Sequence, residues 1–483
     1  MRYNSIFLWF LSVVCLFILS IPIWLKVDYL PLRVWDESRN ALNAIEMYQS
    51  HDWLIRTWKN SPETYELKPP LLTWLQVLSI RVFGLNELAI RFPSVVFSIG
   101  TLVLIFYICF SITKSPGMSV FASGIAATSS GFYGEHVGRF GDHDALLVFF
   151  SLFFVGQIYL YIDTQKNKHI YLASLGFLLA VMTKSVSIFL LFPGSLLSLL
   201  IYRQLGGLLK NKHFYFAALI ALTPIVGYYS LREVFQPGYL SLVWEGELFP
   251  RYLNQSKNYV FENHSFLYYF SLLFKKQMCC WGWLICLVFA VPFVFKKWPQ
   301  PWFFWFIQPL VFLVFLSLGT KNSWYVAPVI PLLSVLYSLS LYFVVGRFFK
   351  NTKTWFFVFI LILSYPFYKA YEYAFNPTEK YYTWETNGIS YYLRDKNHSE
   401  HLHQNMQILL DTIYGLEPHL FYLNKLKIER GFWVPRVHHT RVKENDTLLI
   451  SHQSVYNYLV QSFKTETLDS CYKSTRLLVL KKK

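Results

Sequence analysis

Residues 298–320 read WPQPWFFWFIQPLVFLVFLSLGT, and after a single lysine residues 322–346 read NSWYVAPVIPLLSVLYSLSLYFVVG. Neither run holds an acid or a base, and each exceeds the roughly 18 apolar residues that argue for a helix crossing a bilayer. In hydrocarbon every backbone N–H and C=O must be satisfied within the segment, so such a run folds as a helix. The pattern recurs upstream. Ser5–Leu25 and Phe92–Thr113 are uncharged throughout. Shorter runs near 115–134, 145–162, 170–183, 185–202, 214–231, 277–295 and 354–368 bring the expected spans to about eleven.

Composition agrees. The chain is 54% hydrophobic, 20% aromatic and only 15% charged, against about 25% charge in soluble domains, which excludes a water-soluble fold. The formal charge of +16 sits largely in short connections between apolar runs. Cytoplasmic positive bias and anionic lipid account for it there, without nucleic acid as a partner. Cys15, Cys109, Cys279, Cys280 and Cys286 lie in apolar stretches without metal-ligand spacing, and read as small buried hydrophobes. Ser5–Leu25 is longer than a signal-peptide core, and Ile21-Pro22-Ile23-Trp24 offers no small-residue cleavage site, so it reads as the first span.

Orientation follows from the basic residues in alternate connections: Arg2; Lys114; Lys166 and Lys168; Arg203, Lys210 and Lys212; Lys296 and Lys297; Arg347, Lys350 and Lys353. They share one side if the N-terminus is cytoplasmic. Segments 26–91, 135–144, 232–276, the Lys321 turn and everything after about 369 then share the outer face. Within loop 26–91, Asp36–Tyr48 and Pro69–Gly84 read as helices lying in the membrane interface, with Trp74 as an anchor. After Tyr373 the chain turns polar. Met406–Leu410, Thr447–Ile450 and Arg476–Leu480 read as strands, and Gly388–Leu393 and Val455–Phe463 as helices. The expectation is a transmembrane domain over 1–370 and a small soluble α/β domain over 371–483. No glycine-rich phosphate fingerprint precedes any of its helices, which disfavours a nucleotide site.

The outer set holds the polar residues that invite chemistry. Asp36 and Glu37 follow Val34-Trp35, with Arg39 close behind. Arg139, Asp142, His143 and Asp144 crowd into six positions between two apolar runs. Lys68 precedes two prolines, Lys184 interrupts an apolar run, and Lys321 sits in GTKNSWY. Acids can cap helices and lysines can snorkel to the interface. Convergence on one face gives them a second reading. Cations stabilise charge building on a departing phosphate, while a carboxylate deprotonates an incoming hydroxyl.

The stretches WDESRNALNAIEMYQSHDWLIRTW and LKPPLLTWLQVLSIRVFGLNELAIRFPS resemble the opening loop of the aminoarabinose transferase and protein mannosyltransferase superfamily. GRFGDHDALLVFF, MTKSVSIFLLFPG, HSFLYYF and GTKNSWYVAPVIP continue the likeness, in order, over most of residues 30–345. The resemblance implies a glycosyltransferase C (GT-C) fold, a helical membrane bundle whose outer loops hold a sugar linked to a lipid phosphate. By motif, Asp36 takes the place of the loop acid and Asp144 of the second acid. Arg39, Lys68, Lys321 and Tyr325 take the places of groups near the carrier phosphate. Glu37 joins the catalytic set and Arg139 the phosphate-binding one. The chain departs from its relatives at Leu67, where an acid often stands, with Glu66 one place earlier, and at Ser185, where glycine is common. His264 matches a histidine that serves a zinc site in some relatives.

The expected reaction is transfer of sugar from polyprenyl phosphate to a glycolipid, glycan or protein at the outer face, with inversion. It requires no cofactor, and no metal is assigned, a divalent ion being at most an accessory. The resemblance points to a bacterial inner membrane. Rival readings are a transporter or flippase of lipid-linked saccharides and a membrane scaffold whose tail binds partners. The sparse charge within the spans speaks against the first, and the outer-face cluster against the second.

Overall fold

A computed structural model describes residues 2–134, 136–247, 265–278, 280–345, 352–377, 384–395, 401–403, 405–409, 416–471 and 475–483. His264 lies outside them. Every uncharged run carries helix, and the protein is a polytopic α-helical membrane protein with a small sheet region near its C-terminus. Among the described residues six helical runs have the length and apolarity to cross a bilayer: Ile6–Trp24, Glu87–Thr113, Asp144–Thr164, Lys168–Ile201, Lys212–Phe235 and Ser323–Val344. Shorter apolar helices cover Pro116–Ala127, Gly282–Val294 and Gln300–Leu316, and a further helix runs Thr352–Phe375.

The 34-residue run Lys168–Ile201 folds back on itself. Its helix ends at Lys184, and Ser185 takes φ 49 and ψ −119, a backbone conformation that reverses the chain. Ile170 and Leu199 consequently share one cluster with Tyr161, Leu208 and Ala217. Residues 170–183 and 185–202 therefore pass as two antiparallel segments. Lys184 stands at the tip of their hairpin.

Small residues let the bundle close. Pro116–Ala127 begins with Ser115 accepting from the Met118 N–H and proline at the first position, and all of its residues from Gly117 to Ala127 are buried. A Cβ on Gly124 would meet the Leu363 side chain at 2.4 Å, and one on Gly117 would touch Phe356. Close approach of this kind holds helices together where lipid removes the hydrophobic drive between them. Buried polar groups pair across helices, as Trp302 Nε1 does with Ser340 Oγ at 2.8 Å and Trp281 Nε1 with Thr128 Oγ1 at 2.9 Å.

The first loop holds both expected helices, packed on protein along much of their length. Asp36–Ser50 and Leu71–Phe83 are helical, and the first is buried along Glu37–Met47. Its apolar side chains share one core with Val77, Ile80, Ala89 and Ile90 and with Ile389, Tyr392, Phe421, Tyr422 and Leu426. The Trp74 indole donates to the Trp53 carbonyl at 2.7 Å.

The C-terminal stretch forms a five-stranded mixed sheet. Its order is Arg436–Val437, Met406–Leu409, Thr447–Ile450, Thr475–Lys481, Lys464–Cys471. The first two pairings are parallel and the last two antiparallel. Helices Trp384–Arg394, Leu416–Arg430 and Gln453–Ser462 accompany it.

Candidate active site

Asp36 opens a helix directly after Trp35, which holds φ 75 and ψ −125, a conformation L residues rarely adopt. That turn re-aims the chain and leaves the Asp36 side chain about one-third exposed. Its neighbour Glu37 points the other way. Arg91 Nε and Nη2 reach its two oxygens at 2.7 and 2.9 Å, the Gly141 N–H donates at 2.8 Å and the Arg33 N–H at 2.7 Å. Arg91 spends its other donors on the carbonyls of Val27, Leu30 and Pro31. With four donors on its carboxylate and 3% exposure, Glu37 has no lone pair for substrate. It is the bolt between two acid-bearing turns.

The second turn is fixed through Gly141. Its carbonyl accepts from Asn40 and Gln76, and a Cβ there would sit 2.6 Å from Ile90 Cγ2 and 2.9 Å from the Ile90 carbonyl. Only glycine fits such an approach. The next residues fan out. Asp142 Oδ2 lies 2.5 Å from His136 Nδ1, and Asp36 Oδ2 lies 3.8 Å from the same nitrogen. The His136 ring stacks on Trp324 at 4.1 Å, which brings the GTKNSWY turn against the two acids. Asp144 starts the next helix, and both its oxygens lie 2.7 Å from Lys184 Nζ at the hairpin tip. That ammonium stands 5.3 Å from the Tyr325 ring. Asp144, Lys184, Ser187, Gly319, Thr320 and Tyr325 line one pocket, with Lys321 beside it through a 3.4 Å contact to the Gly319 carbonyl.

The basic loop residues are less free than their sequence suggests. Arg39 binds Glu63 at 3.0 and 2.7 Å and stacks on Trp58 and Tyr65. Lys68 lies 2.6 Å from Glu66, in a turn held by the Arg56 guanidinium on the carbonyls of Glu66 and Lys68. Arg139 donates to the carbonyls of Pro22 and Lys26, where the first helix ends with unsatisfied C=O groups. Burial pulls its pKa down to about 10. Its position ties down the end of the first helix.

Charge at the centre is sharply partitioned. Burial, and then Asp142, raise the pKa of Asp36 against the opposing pull of Lys68. Burial works against a charged His136, but Asp142, with Asp36 and Asp144, overrides it and raises the imidazole. Burial likewise opposes ionisation of Asp142, yet His136 and His143 hold it well below the carboxylate range. Burial outweighs Lys68, His143 and Arg56 nowhere near Glu66, whose pKa falls to about 2. An acid with a raised pKa beside a firmly ionised one is the division of roles that separates a proton acceptor from a charge stabiliser.

Among the described residues Asp36, His136 and Asp142 each offer one ligand atom within 4.8 Å of one another. Two carboxylates and an imidazole suit a divalent ion. His136 and Trp324 escape motif reading because, apart from Asp142 six residues after His136, the groups they meet are distant in sequence. The signal available is that His136 lies six residues before Asp142, in the short polar turn between two apolar runs.

A family model described as dolichyl-phosphate-mannose-protein mannosyltransferase matches residues 67–229. An uncharacterized protein of Aquifex aeolicus (strain VF5) is 26% identical over 313 residues, 63% of this chain and 58% of that protein, so the chain aligns with little more than half of that relative. Among solved structures, ArnT from Cupriavidus metallidurans bound to undecaprenyl phosphate superposes with a TM-score of 0.68 at 16% identity, over 99% of this chain and 98% of the other. Its apo state gives 0.70 at 15% identity, with the same coverage. The Archaeoglobus fulgidus oligosaccharyltransferase in its apo form gives 0.52 at 11%, over 90% of this chain and 65% of the other. The chain is thus a polytopic α-helical membrane protein that shares the fold of ArnT over nearly its whole length, and its residues 67–229 match the mannosyltransferase family model.

Proposed function

We propose that the protein transfers a sugar from a polyprenyl-phosphate carrier to a hydroxyl or amine of a glycolipid, glycan or protein, at the outer face of a bacterial inner membrane. The observation that carries the reading is the meeting of five segments at one end of the bundle. Asp36, Lys68, His136 with Asp142, Asp144 with Lys184, and Trp324-Tyr325 belong to turns spread over almost 300 residues of sequence, yet form one charged cluster. The ArnT neighbour of the same fold binds undecaprenyl phosphate, which is the carrier class we assign here.

In this mechanism the acceptor oxygen or nitrogen attacks the anomeric carbon from the face opposite the phosphate. The bond from that carbon to the phosphate oxygen breaks, its electron pair leaves with the polyprenyl phosphate, and the sugar inverts. Asp36 receives the acceptor proton. Its raised pKa makes it the better base of the two central acids. Asp142 stays ionised and steadies positive charge growing on the sugar ring. Lys68 and Lys321 face the departing phosphate, with Tyr325 and the Asp144–Lys184 pair forming the pocket wall. Arg39 acts through its fixed pair with Glu63 and its partly open guanidinium face. A divalent ion bound by Asp36, His136 and Asp142 would add charge stabilisation, but the scheme does not require one. Residues 371–483 belong on the same outer side, where they can meet the acceptor.

The test is purified protein with radiolabelled polyprenyl-phosphate sugars, comparing wild type with Asp36→Asn and Lys68→Ala. Label moving to an acceptor in the wild type and not in either variant supports the reading. Normal turnover by both variants would refute the site assignment. Donor that crosses vesicles without changing mass would make the protein a transporter.

A further inference from the structure

The acid-bearing loop is held from two sides, and only one of them belongs to the membrane bundle. From below, Arg91 pins the carbonyls of Val27, Leu30 and Pro31 and the carboxylate of Glu37. From above, the C-terminal stretch reaches down. The phenol of Tyr422, on helix Leu416–Arg430, donates to Glu87 Oε1 at 2.6 Å and accepts from the Leu32 N–H at 3.1 Å. Arg394 pairs with the same Glu87 oxygen at 2.9 Å and donates to the carbonyls of Asp28 and Tyr29. Lys26 Nζ bonds the Phe375 carbonyl at 3.0 Å. Leu32 lies four residues before Asp36, and Glu87 opens the helix that carries Arg91.

We infer that Tyr422 is a positioning residue for sugar transfer: its hydroxyl clamps the Leu32 and Glu87 backbone and side-chain groups together and so sets where Asp36 stands. This rests on the function proposed above. Two physical points carry it. Tyr422 is 2% exposed and Glu87 4%, so their hydrogen bond has no water to replace it when lost. Second, the loop between Val27 and Asp36 has no regular secondary structure beyond turns, so side chains reaching in from elsewhere define its path. The C-terminal stretch is then part of the apparatus that shapes the site, through contacts that serve the acid-bearing loop and not only a bound acceptor.

Tyr422→Phe is the diagnostic variant, since the ring keeps its packing while the donor to Glu87 and the acceptor for Leu32 disappear. Ser390→Ala is the control. It breaks a buried bond to His419 of 2.8 Å inside the C-terminal stretch without touching the loop. Two readouts apply to each full-length protein in detergent: hydrogen exchange of amides 27–37, and kcat and KM for a labelled polyprenyl-phosphate sugar. Tyr422→Phe is expected to speed exchange across 27–37 and to lower kcat about tenfold to a hundredfold, with donor KM within about twofold, since misplacement of about 1 Å costs of this order. Ser390→Ala is expected to change neither. Unchanged exchange in Tyr422→Phe, faster exchange with unchanged kcat, or equal kcat loss in Ser390→Ala would each overturn the inference. A wild type inert toward every polyprenyl-phosphate sugar would instead sink the proposed function, and hydrogen exchange would still decide whether Tyr422 holds the loop.

Discussion

Asp36 and Glu37 are adjacent acids whose neutral isosteres should do opposite things. Glu37→Gln keeps shape and removes charge. The amide offers one acceptor atom to four N–H groups that the carboxylate now satisfies: two from Arg91, one from Gly141 and one from Arg33. Two donors then face an NH2 group, and Arg91 at 2% exposure loses its counter-charge. Breaking one partner of a buried ion pair costs roughly 3–5 kcal/mol, a large share of the about 5–15 kcal/mol that holds a folded domain. Asp36→Asn carries the opposite sign. The folded pKa of Asp36 is raised, by burial and by Asp142, so its ionised form costs the fold at neutral pH and neutralising it relieves that cost. Thermal unfolding in detergent, followed by size-exclusion profile and intrinsic fluorescence, reads both. Glu37→Gln is expected to unfold well below wild type, and Asp36→Asn at or above it while losing turnover. A stable, inactive Glu37→Gln would refute the assignment of Glu37 as the bolt between the two turns. A destabilised Asp36→Asn would refute the electrostatic argument.

Three further outcomes are expected. Lys184→Met leaves Asp144 buried without its 2.7 Å partner, so it and Asp144→Asn should each abolish turnover, while the double variant is less destabilised than the sum of the singles by about 0.5–3 kcal/mol, read in a thermal double-mutant cycle. Exhaustive chelation should leave transfer intact if His136 alone balances Asp36 and Asp142; loss restored by one added divalent ion would assign those residues to a metal. Glu63 is buried, which opposes its ionisation, but Arg39 pulls its pKa below the ordinary 4.5. Its stabilising contribution is therefore present above about pH 4.5 and fades as pH falls through the lower folded value. The stability gap between wild type and Glu63→Gln should narrow over that acidic window.

The spans were legible because the bilayer imposes one rule on every segment that crosses it, and uncharged length reports it directly. Asp36, Lys68 and Asp144 stood out for a similar local reason, each being a charge beside an apolar run. The partners of Glu37 and Arg139 are not legible in the sequence, because adjacency says nothing about Arg91, 54 residues away, or the Pro22 carbonyl, 117 residues away. His136 is only half legible: Asp142 lies on its own turn, but Asp36 and Trp324 come from two others. In the C-terminal stretch, three strands with apolar inward faces were readable. Lys464–Cys471 was not, being an edge strand with mostly exposed side chains, and helix Leu416–Arg430 hid because its charges interrupt the apolar period.

The hairpin tip at Ser185 offers a separate check on how the site is stiffened. At φ 49 and ψ −119 a residue with a Cβ pays roughly 1–3 kcal/mol of backbone strain, and glycine pays little. Serine gains in return a 3.1 Å bond between its hydroxyl and that of Tyr229, worth about 0.5–1.5 kcal/mol. Ser185→Ala keeps the strain and loses the bond, so it should be less stable than wild type by about that amount. Ser185→Gly loses the bond but also the strain, offset by about 0.4–1 kcal/mol of added freedom in the unfolded chain, and should fall between neutral and mildly stabilising. The expected order in thermal unfolding is therefore glycine at or above serine, and serine above alanine. An alanine variant as stable as wild type beside a weakened glycine variant would show that the turn is relaxed. It would also remove the reason to regard Lys184 as rigidly presented to Asp144, because that presentation depends on a chain reversal that only a tightly specified backbone can hold at one angle.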